Sequence, residues 1–227
     1  MYRQRAGSNS GMTGLKANRM PNKRLLALEM LLLYVLVPTC FLLPISRFIK
    51  SGLVLCAAGY AILLIFRKKL LPRNRFGLNT FKNWKPILAR FGAFAALTTA
   101  CLYLYDKEAL FLIVRKNPRL WVIIWFVYCI ISVYPQELLL RGFFYARYRD
   151  LVANPKLLVI LNALFFAYAH NFLSHWLVYL LTFSGGILFS NTYKKSKSLL
   201  VVAIEHSLFG LWLFTVGLGG YFAFPTQ

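Results

Sequence analysis

Long stretches almost free of charge recur along the chain, and they restrict its fold more than any other feature. The segment WVIIWFVYCIISVY (121–134) carries no charged side chain at all. Runs of about 18 or more mostly apolar residues are long enough to cross the roughly 30 Å hydrocarbon core of a bilayer. Apolar spans are expected at residues 25–46, 51–66, 87–105, 119–141 (continuing to about 149), 156–173, 176–193 and 199–222, the last breaking near Gly217-Leu218-Gly219-Gly220. The expected fold is therefore all-α: a polytopic transmembrane bundle of about seven spans, within a range of six to eight.

Residues 1–24, MYRQRAGSNSGMTGLKANRMPNKR, are polar and basic and are expected to form a flexible cytoplasmic tail. The apolar run behind them is too long for a signal-peptide core. No repeat or long linker divides residues 25–227, so one transmembrane domain is expected there.

Only 15% of the 227 residues are charged and 59% are hydrophobic, whereas an ordinary soluble domain has about a quarter charged. The net charge of +21 is read as loops facing anionic lipid headgroups, and nucleic acid is excluded as a partner by the apolar runs. Nineteen Lys and Arg fall on the side of the amino terminus and six on the other. This places the amino terminus in the cytoplasm, in a plasma membrane of bacterial type. Cys40, Cys56, Cys101 and Cys129 all lie in apolar segments without CxxC spacing, and are expected to be buried free thiols.

Three places carry ionisable groups inside apolar runs: Glu137 with Arg141, His170, and Glu205-His206. Counted at about 1.5 Å per residue from the nearest cytoplasmic basic residue, Glu137, His170 and His206 lie at depths of about 15, 21 and 14 Å. Intramembrane charges are costly and face the bundle interior, so a shared functional site is the expected reading. Glu137 and Arg141, being i,i+4, can also neutralise each other on one helix face. Asn162, two turns before His170, can fix that imidazole's tautomer. Glu205 is expected to orient a neighbouring group or to pair with a buried donor, and His175 to sit solvated at an outer turn. Ser184, Gly185 and Gly186 suit close helix packing.

Two imidazoles and a carboxylate admit two chemistries. One is a zinc site with an open position, although no HExxH helix is present. The other needs no cofactor: a carboxylate and an imidazole activate water, and a second imidazole donates to the developing oxyanion.

The order QELLLR, FAYAH, HSLFG resembles the three motifs of the CAAX-protease and bacteriocin-processing (CPBP, or ABI) family of intramembrane endopeptidases, EExxxR, FxxxH and HxxxN. Glu137 and Arg141, Phe166 and His170, and His206 match; Gln136 replaces the first Glu and Gly210 the Asn. The resemblance covers about residues 119–215. It implies a helix bundle around a water-filled cavity, in which the first Glu with the second-motif His activates water and the third-motif His and Asn hold the oxyanion. Membrane lipids and a membrane-anchored or hydrophobic peptide, of the lipidated or prenylated kind, are the implied partners. Since Gln136 cannot act as a base, Glu137 is expected to serve, paired with His170; His206 would hold the oxyanion and Arg141 would position the helix. The amide lost at 210 is then restored at 136, and Pro135 supplies the local rotation by kinking the helix. The alternative is a non-catalytic relative that binds hydrophobic peptides as an immunity factor or membrane chaperone.

Overall fold

The computed structural model describes residues 22–78 and 83–222. Most of the expected basic tail, residues 1–21, lies outside them.

Helices stand wherever a span is expected, and among the described residues there is no strand. They are α1 (Lys23–Leu42), α2 (Arg47–Arg67), α3 (Lys85–Tyr105), α4 (Pro118–Tyr148), α5 (Pro155–Tyr168), α6 (Trp176–Ser196) and α7 (Leu199–Val216). The starts follow from local chemistry. Asn22, Ser46, Asn117, Asn154 and Ser198 accept hydrogen bonds from first-turn amides, and Pro118 and Pro155 occupy the first turn, where their missing N–H is no loss. At the other end of α7, Gly217 stops the helix with φ of +122°.

Helices α1 to α4 and α7 are long and apolar enough to cross a membrane. The two that fall short do so for different reasons. α5 has 14 residues, about 21 Å at helical rise. It ends at Tyr168 rather than near 173, so His170 lies in the turn beyond the helix and not within it. α6 has 21 residues, but Thr182, Gly186, Ser190, Thr192 and Ser196 are buried on its inner face, which lowers its hydropathy because that face meets protein instead of lipid. A Cβ added to Gly186 would come within 2.7 Å of the Ala163 Cα on α5. As the small-residue cluster suggests, these two helices touch backbone to backbone.

Two helices depart from α geometry at a proline, with the same offset. In α1, residues Leu32–Leu36 are π-helical and Pro38 follows; in α4, Val127–Val133 are π-helical and Pro135 follows. Proline cannot donate to the carbonyl four residues back, and its ring clashes with that carbonyl. Here the residue before each proline bonds five back instead, Val37 to Leu32 and Tyr134 to Cys129. The wider turn displaces the obstructed carbonyl. A second π segment, Leu138–Phe143, follows Glu137 in α4. Its loosened carbonyls find side-chain partners: Tyr34 donates to Leu139 O at 2.8 Å and Asn162 Nδ2 to Leu140 O at 2.5 Å.

The main core joins α1, α4, α5, α6 and α7 through Tyr34, Phe143, Phe144, Phe165, Phe189 and Leu199. On the outside, Phe48, Leu55, Phe66, Leu104, Tyr105 and Ile131 are each at least 70% exposed. An apolar surface of this extent is stable only against lipid, and the chain is an integral membrane protein. Cys56 and Cys101 belong to that surface, contrary to expectation; Cys40 and Cys129 are partly buried, and all four are free thiols.

Candidate active site

The π turns on both sides of Tyr134–Glu137 set which side chains α4 presents inward. Gln136 and Glu137 are about 100° apart around a helix, so only one can look into a given space. Gln136 does. It lines a cavity of about 780 Å³ together with Tyr128, Ser132, His170, His206 and Gly210. Glu137 is fully buried behind that wall.

Glu137 is held from two sides. Its Oε1 accepts from Arg141 Nη1 at 3.1 Å and from His206 Nδ1 at 2.7 Å, while Oε2 has no hydrogen-bond partner among the described residues. The fully buried Arg141 guanidinium lies 4.4 Å over the Phe166 ring and 5.5 Å from that of Phe189. Two aromatic faces thus share in stabilising its charge. Its Nε and second terminal nitrogen have no hydrogen-bond partner among the described residues. The i,i+4 spacing does pair Glu137 with Arg141, but the pair is unsaturated and acts on a third residue.

That residue is His206, not His170, and this corrects the expected pairing. With its Nδ1–H given to a carboxylate, the neutral His206 ring keeps a lone pair on Nε2. The ring stacks on Phe189 at 4.6 Å and meets the edges of Phe166 at 5.3 Å and Tyr128 at 6.1 Å. His170 is fixed differently. Because α5 ends at Tyr168, the Phe166 carbonyl is one of the helix's orphaned acceptors; the His170 amide bonds to Ala167 O, and its Nδ1 takes Phe166 O at 2.8 Å. A carbonyl only accepts, so Nδ1 carries the proton and Nε2 the lone pair. The four-residue spacing of Phe166 and His170 has a physical basis here. One residue supplies the carbonyl that sets the tautomer and the ring that both imidazoles flank.

The tautomer of His170 is set by Phe166 O and not by Asn162. Asn162 bridges Leu140 O and the Ser190 hydroxyl, which donates to its Oδ1 at 2.7 Å. Asn162 therefore ties α4 to α6. Gln136 Nε2 donates to Ser132 Oγ at 2.8 Å and its Oε1 is buried without a partner. Glu205 is buried and pairs with Arg90 of α3 at 2.8 Å, a donor whose own side chain is 36% exposed rather than buried as expected. Outside the site, His175 accepts from the Leu177 amide and caps α6.

Sequence reasoning missed Ser132, Tyr128 and Phe189. Ser132 and Tyr128 stand four and eight residues before Gln136, a helical spacing that places all three along one face. No pattern in the sequence marks Phe189. As for zinc, among the described residues no three His, Cys, Asp or Glu side chains are grouped as metal ligands. Glu137, the carboxylate such a site would need, accepts from His206 and Arg141 and does not line the cavity that the two imidazoles share.

The comparisons with known proteins agree with the motifs. Residues 118–212 match the family described as Rce1-like, type II CAAX prenyl endopeptidase. No curated protein and no solved structure matches the chain.

Proposed function

We propose that the protein is an intramembrane endopeptidase working by imidazole-activated water, a reading supported by the match of residues 118–212 to the Rce1-like type II CAAX prenyl endopeptidase family. The observation that carries this reading is the presence of two imidazoles on one cavity, each with Nδ1 held and Nε2 without a hydrogen-bond partner among the described residues, one of them backed by a buried carboxylate.

His206 is the stronger base, because the imidazolium formed when Nε2 takes a proton is stabilised by Glu137 at Nδ1. His170 Nε2 accepts the other hydrogen of the same water and orients it. The hydroxide adds to the peptide carbonyl, and the Gln136 amide, whose second Nε2 hydrogen is free of Ser132, donates to the oxyanion. His206 then returns its proton to the departing amine, which leaves a carboxylic acid and a free amino terminus. Glu137 acts as the orienting ion and not as the water's base, and Arg141 balances its charge. The apolar side of the cavity, with Leu33, Val37, Phe41 and Leu188, suits a peptide carried on a lipid or prenyl chain. The basic asymmetry supports an amino terminus on the cytoplasmic side of a plasma membrane.

A non-catalytic, peptide-binding relative is the second reading. It is favoured by one observation: no carboxylate lines the cavity, where Gln136 stands in the family's acid position. Cleavage of a prenylated reporter peptide by the protein in lipid vesicles separates the two. His206→Ala and His170→Ala are each expected to lower turnover at least about 10²-fold. Undiminished turnover in both would refute the imidazole mechanism, and peptide binding with no turnover by the native chain would leave only the second reading.

A further inference from the structure

Gly210 lies one turn after His206 on α7, on the same helix face. A Cβ built there would fall on the hydroxyl and ring carbons of Tyr128. The phenol of α4 therefore presses against the bare Cα of α7, in space that any side chain at 210 would occupy. The ring is fixed edge-on to Phe214 at 5.0 Å and to His206 at 6.1 Å. Its backbone lies in the π segment before Pro135, so the turn that accommodates the proline also sets the direction of this side chain. Tyr128 lines the cavity beside Gln136, His170 and His206, and among the described residues its hydroxyl is neither hydrogen-bonded nor shut off as a buried orphan.

We propose that Tyr128 is a catalytic residue whose hydroxyl donates to the oxyanion of the tetrahedral intermediate, and that Gly210 is the vacancy that admits it. The inference rests on the peptidase reading. A phenol is suited to this place: it is a single strong donor on a rigid arm, and it needs no proton transfer to act. The two residues are one device spread over two helices. The donor arrives from α4 because α7 has given up its side chain.

The test compares steady-state cleavage by native protein, Tyr128→Phe and His206→Ala in the same vesicles, with thermal unfolding as the check on folding. Losing one oxyanion donor lowers kcat by about 10²–10³-fold, so Tyr128→Phe is expected to show that fall with KM unchanged and the unfolding midpoint near native. An unchanged kcat, or a loss confined to KM, would overturn the role of Tyr128; with His206→Ala inactive, the peptidase reading would survive. A native chain with no turnover would overturn both. In Tyr128→Leu the vacated space can take an amide, so adding Gly210→Asn is expected to regain at least about tenfold in kcat, oxyanion donors being partly interchangeable. A folded double variant no faster than Tyr128→Leu would also overturn the proposal.

Discussion

Glu29 and Glu137 each meet an arginine inside the bundle, yet the two pairs are built to opposite ends. Around Glu29 every acceptor is used: Arg147 donates to both oxygens at 2.8 and 2.7 Å, Tyr148 adds a bond to Oε1 at 2.8 Å, and Tyr60 one to Oε2 at 2.9 Å. This planar, two-pronged arrangement spans α1, α2 and α4 and leaves nothing over. Around Glu137 one oxygen holds Arg141 and His206, while the other oxygen and two guanidinium nitrogens have no hydrogen-bond partner among the described residues. Unsatisfied buried polar groups cost free energy, and a pair kept only for stability would be completed as the first one is. The saturated pair is a clamp between helices. The unsaturated one holds an imidazole in readiness.

The sharpest way to break this comparison is at Glu137. Glu137→Gln keeps the shape but removes the charge that stabilises the His206 imidazolium, and turnover is expected to fall about 10²–10⁴-fold. Retained turnover in that variant would place Glu137 with Glu29 as a structural ion. Next in size is Arg147→Ala, expected to destabilise by about 2–3 kcal/mol. That is below the usual cost of breaking a buried pair, since both partners keep some exposure and a membrane-embedded unfolded chain finds substitutes. Rates per folded molecule should remain native, as a denaturation series with parallel assays would show; a specific loss of kcat would erase the distinction. The smallest effect is expected from Gly186→Ala, which forces α5 and α6 apart at about 1–3 kcal/mol. Because α5 carries Phe166 and His170, a modest rate loss should accompany it, measurable by thermal unfolding and cleavage together. A neutral result would mean the helices yield without disturbing the Phe166 carbonyl.

Much of this was readable beforehand. The apolar runs locate the helices to within a few residues, except where α5 stops short. The i,i+4 pair of Glu137 and Arg141, the packing role of Gly186 and the need of Glu205 for a partner follow from spacing and cost. The identity of that partner, Arg90, does not, because it lies more than a hundred residues away. Nor could Asn162 be assigned correctly, since the carbonyl it serves, Leu140 O, is loosened by a π turn that no composition rule announces.

The sequence alone determined that this chain enters a membrane as helices, because backbone polar groups in lipid have no other partners, and that a Glu, an Arg and two His are carried into its interior. Only the tertiary structure decided which of Gln136 and Glu137 meets the cavity. Adjacent side chains point about 100° apart, so a fraction of a turn, contributed by the π segments and fixed by packing against α5, α6 and α7, exchanges a wall residue for a buried one. The same rotation brought Tyr128 to Gly210, two positions that no local pattern joins.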